Sequence, residues 1–193
     1  MTIRSTLAFM VIAGLFATVT ARAAEIEIGT QAPDFSATGV DGEDYSLAST
    51  KGAKAVVVFF TCNSCPVAVA YEDRLIEFAN QYADKGVQLI AINCNNRTED
   101  LAAMKKQSKE NGFSFPYVFD ASGQSARDYG ARVTPHFFIL DGDRRIAYRG
   151  AFDDDMRKPT THYVAAAVDA ILEGETPATT TTKAFGCGIK SKR

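Results

Sequence analysis

The stretch Ala55-Val56-Val57-Val58-Phe59-Phe60-Thr61-Cys62-Asn63-Ser64-Cys65-Pro66 decides the fold. Its first six residues are apolar without interruption and rich in β-branched and aromatic side chains. Such a run reads as a strand buried on both faces, as in a parallel sheet. Pro66 suits the first position of a helix, where its missing N–H costs nothing. Beyond it, Tyr71, Leu75, Phe78, Ala79 and Tyr82 recur at helical spacing, with Glu72, Asp73, Glu77 and Asn80 between them and Gly86 as a stop. The pattern predicts one helix over 66–85.

Two cysteines three apart therefore stand where a buried strand hands over to a helix. The unpaired N–H groups and positive dipole end of a helix start stabilise a thiolate. A cysteine there has its pKa lowered from about 8.5 into a range of roughly 3.5–7.5. Cys62 is read as the nucleophile and Cys65 as the thiol that resolves the mixed disulfide. A structural zinc site needs four ligands, and no second CxxC or His-x-His pair accompanies this one.

Working outward, residues 87–93 read as the next strand. Residues 98–110 read as a helix with Glu99 and Asp100 in its first turn and Lys109 in its last, matching the helix dipole. Residues 117–119 suit a short edge strand, and 124–129 a short helix stopped by Gly130. Residues 136–140 and 145–149 flank Asp141-Gly142-Asp143 as a hairpin. Residues 160–173 read as a last helix. Upstream, 35–38 and 45–47 flank a turn-rich segment as a further hairpin. The order predicts an α/β fold, with a mixed central sheet, helices on both faces and an N-terminal β-hairpin extension.

Composition narrows the function classes. Hydrophobic residues at 46% and charged residues at 23% exclude a disordered or collagen-like chain. A net charge of −2 gives no electrostatic basis for binding nucleic acid. Four cysteines in 193 residues are too sparse for a disulfide scaffold. Arg4, the uncharged run 7–19 and Ala21-Arg22-Ala23 follow the grammar of a secretory signal peptide, here 1–23. The apolar run is shorter than the roughly 20 residues of a membrane-spanning helix. No stable membrane insertion is expected after cleavage, and the mature chain is expected in the periplasm or outside the cell. A domain over 24–174 and a tail over 175–193 carrying Cys187 complete the expected organisation, with Thr179 to Thr182 as a linker.

At this point the sequence resembles a family. The motif from Phe59 to Pro66 is followed by Tyr71-Glu72-Asp73-Arg74-Leu75, Phe115-Pro116-Tyr117, Asp120, Tyr129-Gly130 and Thr134-Pro135. Phe137-Phe138, Asp141-Gly142, Tyr148-Arg149-Gly150 and Gly186-Cys187-Gly188-Ile189-Lys190 continue the series. In this order they are similar to the thioredoxin-fold redoxins of the AhpC/TSA (peroxiredoxin-like) superfamily, in a CxxC-containing branch. The resemblance implies a thioredoxin fold, thiol–disulfide exchange and antioxidant-type activity. It also implies protein or small-molecule disulfides and thiols as substrates, a thiol reductant system as partner, and no cofactor. Through it Pro135, preceded by Thr134, is the cis-proline facing the cysteine pair; from the residues alone it is only a proline before an apolar strand. A thiol-dependent peroxidase is the alternative activity. The peroxiredoxin signature Pro-x-x-x-Thr-x-x-Cys is not matched, since Thr61 directly precedes Cys62. The strand 55–60 also lacks the acid that serves thioredoxins as proton acceptor.

The other candidates keep two readings each. Cys94 follows the strand 87–93, so it lies beside Cys62 at the carboxyl edge of the sheet or is a small buried hydrophobe. Cys187, between two glycines, resolves Cys62, bridges to Cys94, or is an exposed thiol of a loose tail. His136 is a strand histidine, a general base, or a copper ligand together with Cys62 and Cys65 in the manner of the Sco chaperones. His162 has no expected catalytic role. Asp153-Asp154-Asp155 reads as a solvated turn.

Overall fold

The computed structural model describes residues 25–192, so the leader read at 1–23 lies outside the described residues. In chain order the strands are β1 (Ala37–Gly39), β2 (Asp44–Tyr45), β3 (Ala55–Thr61), β4 (Val87–Asn93) and β5 (Tyr117–Phe119). They continue with β6 (Val133–Thr134), β7 (His136–Leu140), β8 (Ile146–Gly150) and β9 (Cys187–Gly188). The helices are α1 (Pro66–Val69), α2 (Glu72–Ala83), α3 (Leu101–Asn111), α4 (Gln124–Tyr129) and α5 (Tyr163–Leu172).

The apolar run around Val57 forms β3, buried at all seven positions. It lies parallel to β4 and antiparallel to β7, so both of its edges are paired. The sheet order is β2, β1, β5, β4, β3, β7, β8. Strands β3, β4 and β5 are parallel, while β7, β8, β1 and β2 join antiparallel. Alternation along β3 then sorts the core into two layers. Ala55, Val57 and Phe59 meet Leu75 and Phe78 of α2, Met104 of α3 and Val164 of α5. Val56, Val58 and Phe60 meet Ala126 and Tyr129 of α4 and Phe35 ahead of β1. Each buried Val or Phe contributes about 1.5–3 kcal/mol. A mixed sheet with helices on both faces and an N-terminal hairpin is the expected architecture.

Several local expectations are corrected. The helix after Pro66 is two pieces: the Tyr71 N–H bonds three residues back to Ala68 at 3.1 Å, and the four-residue ladder resumes at Leu75. The Tyr71 ring is held there against Phe152 and Phe185. Strand β5 is not an edge, because β1 pairs with its free side. Helix α3 starts at Leu101; Asp100 is its N-cap, accepting the Ala103 N–H at 2.8 Å, and Glu99 lies outside it. Asp153 is not solvated. It is fully buried, accepts the Tyr71 hydroxyl at 2.7 Å and pairs with Arg74, whose other nitrogen bonds the Met156 carbonyl at 2.7 Å.

The tail is bonded to the body along its length. Arg149 and the tail exchange backbone bonds with Thr180 and Thr182, both at 3.0 Å, so the expected linker runs beside β8. Strand β9 then pairs antiparallel with β6, Thr134 opposite Cys187 and Val133 opposite Gly188. Beyond it, the Ile189 N–H bonds the Arg132 carbonyl at 2.9 Å and the Lys190 N–H bonds Asn95 Oδ1 at 2.8 Å. The cysteine-bearing tail thus crosses the end of the sheet where β3 stops.

Candidate active site

Strand β3 delivers Cys62 one residue past its end, and Cys65 becomes the N-cap residue of α1 with Pro66 at the first helical position. Opposite them, β6 ends in Thr134 and the Thr134–Pro135 peptide bond is cis. Thr134 touches both sulfurs: its Oγ1 lies 3.2 Å from Cys62 Sγ, and its carbonyl accepts from Cys65 Sγ at 3.1 Å. Cys62 and Cys65 form a small cluster with Ala68, against which Val67 and Cys187 pack.

Glu99 holds the loop between the two cysteines. Its carboxylate accepts the Asn63 N–H at 2.9 Å, the Ser64 N–H at 3.0 Å and the Ser64 hydroxyl at 2.7 Å. Asn93 donates to the same carboxylate at 2.6 Å and to the Tyr117 hydroxyl, which donates to Asn63 Oδ1 at 2.7 Å. Glu99, Asn93 and Tyr117 were not singled out from the sequence. The available signal was the place of Asn93 at the carboxyl end of β4, beside the end of β3; Glu99 in the following loop and Tyr117 at the start of β5 carried none.

The electrostatics differ from expectation. Burial pushes the Cys62 thiol up, and the Glu99 carboxylate adds to this against the Thr134 hydrogen bond. At Cys65, burial opposes ionisation, but hydrogen bonds from Cys187, the Ala68 N–H and Thr134 outweigh it and bring the thiol down. Cys187 is correspondingly raised, because its proton is held by Cys65. The stabilised thiolate is thus at Cys65. The reason lies in the partners: Cys65 receives the Cys187 thiol and the Ala68 N–H, whereas Cys62 is more deeply desolvated and stands beside a carboxylate.

Cys94 is elsewhere. It is buried in the other core layer, 3.4 Å from Ser125 Oγ and 3.7 Å from Asp120 Oδ2, and burial pushes its thiol up to about 12. It follows β4 as Cys62 follows β3, but its sulfur packs as a small buried group in that other layer. His136 also faces that layer. It pairs with Phe60 across the ladder and lies against the Phe138 ring at 4.4 Å. Burial, with Arg149 and Arg132 nearby, pushes it down to about 4. The copper set of Cys62, Cys65 and His136 is therefore not assembled, and among the described residues no three His, Cys, Asp or Glu side chains are placed to hold a metal. A cavity of about 750 Å³ lined by Lys54, Asp143, Arg145 and Leu172 lies at the opposite end of β3.

Comparison with known proteins agrees with this geometry. The Redoxin family model matches residues 27–166. A hypothetical protein from Sinorhizobium meliloti 1021 is 37% identical with a TM-score of 0.80, over 88% of this chain and 97% of that one. The thiol-disulfide oxidoreductase ResA of Bacillus thuringiensis subsp. konkukian is 29% identical over 124 residues, 63% of this chain and 68% of that protein. The thioredoxin domain of a thiol-disulfide oxidoreductase from Bacteroides vulgatus shares the fold, at 24% identity and a TM-score of 0.56 over 63% of this chain and 86% of that one. The family match runs from ahead of β1 into α5 and takes in the cysteine pair and the cis-proline together, so the chain belongs to the Redoxin family and carries the thioredoxin fold.

Proposed function

We propose that the protein is a thiol–disulfide oxidoreductase that works through Cys62 and Cys65. One observation carries this: both sulfurs meet the same residue, Thr134 before the cis-proline, at 3.2 and 3.1 Å. Cys62, the first cysteine of the pair, attacks a substrate disulfide once its raised thiol has given up its proton. A Cys62–substrate bond forms, the substrate bond breaks, and one substrate sulfur leaves as a thiolate. Cys65, whose thiolate the Cys187 thiol and the Ala68 N–H favour, then attacks Cys62 Sγ; the Cys62–Cys65 bond forms and the second substrate sulfur leaves. Two electrons have passed to the substrate, and a thiol reductant restores the pair. The ResA likeness and the Redoxin match support this class of reaction.

The direct test is reduction of insulin by the reduced protein. Cys62→Ser is expected to abolish it, and Cys65→Ser to accumulate a mixed disulfide on Cys62. A mixed disulfide trapped on Cys65 in the Cys62→Ser protein would instead reverse the two roles. Antioxidant action by peroxide reduction rests on family resemblance alone. Peroxide-dependent oxidation of a thiol reductant is accordingly expected at background rate. The leader pattern at 1–23 supports an extracytoplasmic location, with the mature chain beginning at Ala24; the N-terminal sequence of the purified native protein tests this.

A further inference from the structure

We infer that Cys187 is a third redox-active cysteine, which takes Cys65 over from the Cys62–Cys65 disulfide by internal exchange, so that β9 acts as a built-in substrate of the site. The inference deepens the thiol–disulfide reading above and rests on it.

The tail is built to bring this sulfur in. Strand β9 sets Cys187 opposite Thr134, the residue that touches both Cys62 and Cys65. Gly186, at φ 145°, allows the approach: a Cβ there would stand 2.0 Å from the Thr134 carbonyl oxygen. The bonds of Thr182 to Arg149 on one side, and of Ile189 and Lys190 to Arg132 and Asn95 on the other, fix the strand at both ends. The third sulfur is thereby held at a high effective concentration. Cys187 packs on the cluster of Cys62, Cys65 and Ala68, and within it its hydrogen bond runs to Cys65. Exposure separates the three. Cys62 is 2% and Cys65 1% exposed, whereas Cys187 is half-buried.

The exchange balances without an external oxidant. The Cys187 thiolate attacks Cys65 Sγ of the Cys62–Cys65 disulfide. The Cys65–Cys187 bond forms, the Cys62–Cys65 bond breaks, and the electron pair leaves on Cys62, which takes up the proton that Cys187 released. One disulfide is present before and after. The bond now ends on an accessible sulfur, so an external thiol reductant attacks Cys187 and expels Cys65. The departing Cys65 thiolate is met by the Ala68 N–H in the first turn of α1.

The test is peptide mapping after oxidation with glutathione disulfide, acid quenching and alkylation of the remaining thiols. The full-length protein is expected to give both Cys62–Cys65 and Cys65–Cys187 linked peptides. Cys62→Ser is expected to give Cys65–Cys187 only, formed slowly through a glutathione mixed disulfide on Cys187. Cys187→Ser is expected to give Cys62–Cys65 only, with reduction of the oxidised protein by glutathione slowed several-fold. If Cys187→Ser closes Cys62–Cys65 but neither the full-length protein nor Cys62→Ser ever shows Cys65–Cys187, the role of Cys187 is overturned and the redox pair stands. If Cys62–Cys65 forms in neither the full-length protein nor Cys187→Ser, the underlying reading falls and this inference falls with it.

Discussion

Glu99 shows how one side chain shapes a redox loop it does not belong to. Its carboxylate takes two backbone N–H groups and a hydroxyl from Asn63 and Ser64, and its charge raises the neighbouring Cys62 thiol. Glu99→Gln is expected to lower the Cys62 pKa, read as a downward shift in the midpoint of iodoacetamide reactivity against pH. Glu99→Ala removes all four acceptor contacts, two of them exposed and two part-buried, and a loss of about 1–3 kcal/mol in total is expected in urea unfolding. His136 supplies a separate pH effect. Folded, it titrates near 4 because of burial and the nearby Arg149 and Arg132, below the usual histidine value of about 6.5. Between these values the unfolded chain binds a proton that the folded chain does not. Stability therefore falls as pH drops from about 6.5 to about 4, by roughly 3 kcal/mol at most. His136→Phe is expected to flatten that part of the stability–pH curve measured by urea unfolding.

Among the elements, the short break between α1 and α2 is tied to a buried charge. Tyr71 at the break and Arg74 one turn on both bind Asp153, which lies between β8 and α5. This network fixes the cysteine-bearing helix to the far part of the chain. Arg74→Ala leaves Asp153 buried without its cation and is expected to cost about 3–5 kcal/mol in urea unfolding; Tyr71→Phe removes one hydrogen bond and is expected to cost about 1 kcal/mol. The sequence made β3, β4 and the hairpin of β7 and β8 legible, because apolar runs and turn residues are local signals. It did not make Asp153 legible. A run of three aspartates looks solvated, and only the fold brings Arg74 to the first of them. Glu99 looked like part of a first helical turn for the same reason, since its partners Asn63 and Ser64 lie far along the chain, whereas the cap at Asp100 is a local bond to Ala103 that shifts the helix start by a few residues. Strand β5 looked like an edge because its second neighbour, β1, lies about eighty residues earlier in sequence.

At the scale of the whole molecule, the tail packs against the cysteine pair. The CxxC motif and its strand–helix junction were readable, and Thr134-Pro135 was placed through family resemblance. The docking of Gly186-Cys187-Gly188 was not readable, because the pairing of β9 with β6 spans more than fifty residues and two-residue strands have no periodicity. Cys94 went the other way: it follows β4 as expected, but its side chain turns into the α4 layer beside Ser125. Gly186→Val puts a side chain into the Thr134 carbonyl and is expected to displace β9, speeding alkylation of Cys62 and Cys65 in the native protein. The most direct measurement of the central claim is a redox titration of the full-length protein against glutathione, with the linked cysteines mapped at each potential. A two-electron transition that closes Cys62 onto Cys65 is the expected result. Cys62 and Cys65 remaining unlinked thiols under fully oxidising conditions would contradict it.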